Sequence, residues 1–91
     1  MQIESIEWNQ QKNEQLQRTR GVSFERVASL LLENTFLDVY DHPDQERYPR
    51  QQVVVIEMDD YVYLVPFIQE GGRFFLKTII PSRKAKRKYR R

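Results

Sequence analysis

The chain has 91 residues, no cysteine, 40% hydrophobic residues and a formal net charge of +2. That length fits one domain, residues 1–91, with a small core. The absence of cysteine excludes a disulfide framework and any cysteine-based zinc centre, and apolar stretches of about six residues are far too short to span a membrane as a helix. The net charge conceals an asymmetry: residues 1–80 hold 8 Lys/Arg against 13 Asp/Glu, whereas residues 81–91 hold 7 Lys/Arg and no acidic residue. Such a division suggests a polyanionic partner; a solvated tail is the plain alternative. The first ten residues, MQIESIEWNQ, read as neither a signal nor a transit peptide, and the expected compartment is the cytoplasm.

Ile3, Ile6 and Trp8 lie in a short stretch with partial alternation, compatible with a strand. Asn9 suits an N-cap for a helix over 10–19, whose only apolar anchor is Leu16. Gly21 suits a helix stop, and Ser23 caps a second helix over about 24–33. There Val22 and Val27 have the spacing of a hydrophobic staple, and Phe24, Val27, Ala28 and Leu31 recur with the period of one buried face. Residues 35–40 read as a strand and 41–50 as a polar loop. Residues 52–58, 61–68 and 73–80 read as three strands of an antiparallel meander joined at Asp59-Asp60 and Glu70-Gly71-Gly72. Pro66 has no amide hydrogen, so its strand is an edge or carries a bulge there. Ser82 caps a short basic helix over about 83–90. The resulting expectation is an α+β fold: an antiparallel sheet of about four strands, two N-terminal helices, a short C-terminal basic helix, and all helices on one sheet face.

In the last hairpin, pairing Ile68 with Arg73 puts Tyr63, Val65, Phe67, Phe74, Leu76, Thr78 and Ile80 on a core face. Leu64, Arg73, Phe75, Lys77 and Ile79 then share the other face. A Lys77 enclosed by cations and apolar walls could serve as a general base; the alternative is a lysine at the sheet rim. As a helix, the tail puts Arg83, Arg87 and Arg90/Arg91 on one side with Lys84 and Lys88 adjacent. Tyr89 could stack on a base. His42 is the sole histidine, a possible proton shuttle or a solvated bystander. No protein nucleophile, dinucleotide fingerprint, phosphate-binding loop or metal-ligand spacing is present, so no cofactor or metal is expected. Metal-independent RNA cleavage needs none of these, because the ribose 2′-hydroxyl is the nucleophile. The protein positions the strand, neutralises charge and moves protons.

Four stretches carry a family resemblance: IEWNQQKN (6–13), RGVSFERV (20–27), DQER (44–47) and PSRKAKRKYRR (81–91). Together and in order they resemble the signature of the BrnT family of bacterial toxins. The resemblance implies a compact RelE-like fold, endoribonuclease activity on messenger RNA, and a cognate antitoxin, usually a ribbon-helix-helix DNA-binding protein. It matches Trp8, Lys12, Asn13, Gly21, Ser23, Phe24, Glu25, Glu46, Arg47, Arg83, Lys84, Ala85 and Tyr89. Arg20 stands where the family usually has histidine, so a proton transfer made there would pass to His42 or Lys77. The catalytic candidates are Lys77, Lys12, Arg47, Arg83 and Tyr89. The RNA-binding candidates are Arg20, Arg73, Arg83, Lys84, Lys86, Arg87 and Lys88. A non-catalytic RNA- or ribosome-binding module is the alternative, and the tail could also dock an acidic protein such as the antitoxin.

Overall fold

The computed structural model of the chain describes residues 2–89. Along the chain these form β1 (Ser5–Trp8), α1 (Gln10–Arg20), α2 (Phe24–Leu32), β2 (Asp38–Asp41), β3 (Gln51–Met58), β4 (Tyr61–Glu70), β5 (Arg73–Leu76), β6 (Ile80–Pro81) and α3 (Arg83–Tyr89).

Local chemistry sets the helix boundaries. The side chain of Asn9 accepts the Lys12 amide hydrogen at 2.9 Å, and that of Ser23 accepts from Arg26 at 3.2 Å. Gly21 ends α1 in the left-handed region, φ 68°, which costs glycine no side-chain clash. Val22 and Val27 are both buried, as a staple across a helix start requires.

The sheet is six-stranded, in the order β1-β5-β4-β3-β2, with β6 also paired to β4. It is mixed, because β1 runs parallel to β5 while the other pairs are antiparallel. This corrects the expectation of about four antiparallel strands. The parallel pairing joins segments almost seventy residues apart, which no local pattern announces. The strand expected at 35–40 begins only at Asp38.

Two-residue turns close both hairpins. Asp59 and Asp60 adopt φ of 52° and 65° between the paired Met58 and Tyr61, a backbone twist that matches the strands they join. Gly71 and Gly72 lie between the paired Glu70 and Arg73. This register is shifted by two from the pairing of Ile68 with Arg73, so each side chain keeps its expected face.

The strand expected over 73–80 is interrupted. Leu76 pairs with Phe67 and Ile80 with Leu64, so four steps on one strand match three on the other. The extra residue is a bulge, and it lies opposite Pro66 and Val65. The Pro66 carbonyl accepts the Lys77 amide hydrogen at 2.8 Å, while proline has no hydrogen to return. The bulge reverses the alternation. Ile79 therefore enters the core, and Ile80 lies beside Leu64 on the other face, 39% exposed.

The core lies between α1 and α2 and one face of the sheet. It includes Leu16, Phe24, Val27 and Leu31 from the helices and Val54, Ile56, Val65, Phe67, Phe74 and Leu76 from the strands. The helix α3 lies on the opposite face, where Ala85 and Tyr89 pack with Val55, Val62 and Leu64. The expectation of all helices on one face is corrected accordingly: strands buried on both sides need a cover on each.

Candidate nucleic-acid interface

The helix α3 is anchored at both ends. At its start the Ser82 amide donates to the Val62 carbonyl at 3.0 Å, and the Ser82 hydroxyl accepts the Ala85 amide hydrogen at 3.0 Å. At its end the Tyr89 hydroxyl donates to Asp38 Oδ2 at 2.5 Å. Asp38 belongs to β2, so α3 crosses the sheet from the bulge beside β4 to the far edge strand.

At 100° per residue, Ala85 and Tyr89 point towards the sheet. Lys84 and Lys88 then form one flank and Lys86 the other, with Arg83 and Arg87 away from the sheet. The contacts agree: Lys84 and Lys88 line a cleft of about 480 Å³ between α3 and the sheet, while the Lys86 ammonium sits 4.9 Å from the centre of the Tyr61 ring. Five cations thus surround the exposed circumference of a two-turn helix. Arg90 and Arg91 lie outside the described residues.

Among the described residues, Asp38 is the acidic side chain that lines the cleft. Asp38 Oδ2 accepts from Tyr89, and Oδ1 accepts the Val39 amide hydrogen at 2.8 Å. The Tyr89 hydroxyl and then the Val39 amide hold this carboxyl below its usual range; burial opposes them, and the nearby Lys88 adds the smallest effect. The same bond pushes the Tyr89 phenol up to about 12. Burial, followed by the charge of Asp38, raises Tyr40 as well.

The remaining candidates are dispersed. Arg73 and Lys77 are on α3's side of the sheet, since Arg73, Phe75 and Lys77 alternate on that face. Lys77 is exposed, with its ammonium 5.3 Å from the centre of the Phe75 ring, which corrects the expectation of an enclosed lysine. Arg73 pairs with Glu7 at 3.8 Å and lies six residues along β4 from Leu64, about 20 Å at strand rise. Neither Lys77 nor Arg83 lines the cleft that holds Lys84 and Lys88. Lys12 is half-buried in the first turn of α1, on the opposite side of the sheet. Arg20 Nη1 donates to the Ile79 carbonyl at 2.6 Å, tying the end of α1 to the bulge.

Arg47 and His42 lie in the loop before β3. Arg47 stands over Tyr48 at 5.7 Å. His42 Nδ1 accepts the Asp44 amide hydrogen at 3.0 Å, and the ring packs on Tyr48; both contacts organise the loop. Among the described residues no three His, Asp or Glu side chains gather where they could hold a metal ion. Among the described residues no helix is long and apolar enough to cross a membrane.

Residues 8–88 match the family model described as the ribonuclease toxin BrnT of type II toxin-antitoxin systems. The chain belongs to the BrnT family. No curated protein and no solved structure matches it. BrnT membership brings an RNA substrate and a cognate antitoxin as partner.

Much of the BrnT-like signature is structural in this chain. The match begins at Trp8, whose ring stacks on Phe24 at 5.8 Å. Asn13 joins the two N-terminal blocks by bonding both Phe24 and Glu25. Ser82 and Ala85 seat α3. No local pattern marks Asp38 or Tyr40 as cleft residues, because the tyrosine that fixes Asp38 is 51 positions away.

Proposed function

We propose that this BrnT-family chain is a single RelE-like domain that cleaves messenger RNA in the cytoplasm without a metal ion, and that α3 and the sheet face beneath it form its RNA-binding surface. The docking of α3 carries this reading. With Ala85 and Tyr89 turned to the sheet, the cations of α3 are directed outward, and Arg73 and Lys77 add to the same side. An RNA strand crossing this face meets positive charge along its path, and guanidinium groups match phosphate oxygens in two-point contacts.

The 2′-hydroxyl attacks the adjacent phosphate, closing a 2′,3′-cyclic phosphate as the bond to the 5′-oxygen breaks and that oxygen takes a proton from water, so the protein's tasks are alignment and charge stabilisation. Arg83 and Lys84 hold the scissile phosphate in this scheme. Lys77, on α3's side of the sheet, adds positive charge for the attacked phosphate, and the 2′-hydroxyl proton leaves to water, since Lys77 lacks the enclosure a lysine base needs, Lys12 is on the other side of the sheet and His42 is in the loop before β3. Tyr89 is assigned to holding α3, since its hydroxyl proton is committed to Asp38. A ribbon-helix-helix antitoxin would silence the toxin by covering this face.

Induced expression of the chain in bacteria is expected to arrest growth and fragment transcripts, and Arg83→Ala with Lys84→Ala to relieve both effects. Unaffected growth with intact transcripts on expression of the wild-type chain would contradict the proposal.

A further inference from the structure

Asp38 does not belong in a surface built only for phosphate. An ionised carboxylate beside Lys84 and Lys88 repels the backbone those lysines attract. It does suit a nucleobase.

An ionised carboxylate accepts about four hydrogen bonds, two on each oxygen. In Asp38 one site on Oδ1 is taken by the Val39 amide and one on Oδ2 by the Tyr89 hydroxyl. One acceptor site remains on each oxygen, so Asp38 can receive two neighbouring donors at once. Guanine presents that pair on its Watson–Crick edge, N1–H beside the 2-amino group. Adenine and cytosine present one amino group beside a ring-nitrogen acceptor, which would face a carboxylate oxygen without a hydrogen between them. Uracil presents a single N–H between two carbonyls.

The rest of the cleft suits a flat ring. Tyr40 is 36% exposed, Leu64 is half-buried, and both line the cleft with Asp38. Its volume of about 480 Å³ falls within the range of small-ligand sites. Lys84 and Lys88 stand one helical turn apart on its rim, positioned for the phosphates on either side of a base. Unstacked RNA bases are commonly read by a side chain on this edge together with a stacking surface.

We propose that the cleft between α3 and the sheet is a guanine-reading subsite, in which Asp38 accepts the N1 and N2 hydrogens of one unpaired base and Tyr40 and Leu64 pack against its ring. The proposal rests on the RNA-binding reading above and deepens it by assigning sequence preference to this surface.

The test uses the full chain and short single-stranded RNAs blocked at the 2′ position by methylation, identical except for one central base. That base is guanine, 7-deazaguanine, inosine or adenine, and binding is read by fluorescence anisotropy. Guanine and 7-deazaguanine should bind alike, since N7 is not read. Inosine, which lacks the 2-amino group, and adenine should each bind about tenfold more weakly. Asp38→Asn should erase these differences, and Tyr40→Ala should weaken binding of all four RNAs. The analogue series needs only the wild-type chain, so it decides the matter even if Asp38→Asn disturbs α3. Equal binding of the four RNAs, or sensitivity to 7-deazaguanine rather than inosine, would overturn the subsite. Unblocked versions of the same RNAs report cleavage separately. Guanine-selective binding without cleavage would keep the subsite and refute the ribonuclease proposal; cleavage without selective binding would do the reverse.

Discussion

The side-chain oxygen of Asn13 accepts the backbone amide hydrogen of Phe24 at 2.8 Å, and the Asn13 amino group donates to Glu25 Oε1 at 2.7 Å. Asn13 is fully buried. One carboxamide on α1 thereby satisfies an amide at the start of α2 that has no partner within its own helix.

Replacing Asn13 with alanine leaves the Phe24 amide buried without an acceptor, so Asn13→Ala should cost about 2–3 kcal/mol. Asn13→Asp keeps the acceptor but sets a second carboxylate against Glu25, and should fall between alanine and the wild type. Urea unfolding measures both, as a lower midpoint with an unchanged slope.

This clasp marks where local sequence stops being informative. The helices were legible because their signals are close together: Asn9 and Ser23 as caps, Gly21 as a stop, and the repeat from Phe24 to Leu31. The faces of β4 and β5 were legible because the actual register differs from the expected one by an even number of residues. The break after Leu76 was not, since Phe74, Leu76, Thr78 and Ile80 continue the alternation and only Pro66, on the partner strand, announced a bulge. The basic character of α3 was plain in the sequence. Its position over Val55 and Val62 was not, because among the described residues of α3 the apolar packing comes from Ala85 and Tyr89, and Asp38 is remote in the chain.

Tyr89 should ionise near pH 12, which absorbance near the tyrosinate band can follow. Its folded pKa is raised, so the stability drawn from the Tyr89–Asp38 bond is fully present below the ordinary tyrosine value of about 10 and is lost as pH rises towards 12. Asp38→Asn should move the titration back towards the ordinary range. The carboxyl of Asp38 is lowered, so its share is present above the ordinary carboxylate range and lost in acid, as the pH falls through its folded value.

Lys84→Ala with Lys88→Ala should leave the fold intact and weaken RNA binding. If each lysine neutralises one phosphate, the slope of log affinity against log salt should become shallower by about 1.4 for single-stranded RNA. An unchanged slope would remove both lysines from the RNA path.

Lys77→Met should reduce cleavage by about a hundredfold if the Lys77 ammonium stabilises the charge of the attacked phosphate. Stability should change by less than about 0.5 kcal/mol, because the side chain is exposed. A loss below tenfold would remove Lys77 from the reacting phosphate.

The most direct test is to incubate the purified chain with end-labelled messenger RNA in excess chelator and analyse the new ends. Cleavage through the 2′-hydroxyl on the α3 face predicts fragments ending in 2′,3′-cyclic phosphate, formed without divalent metal and abolished by Arg83→Ala with Lys84→Ala. Intact RNA that is merely bound, or cleavage that appears only when magnesium is restored, would contradict it.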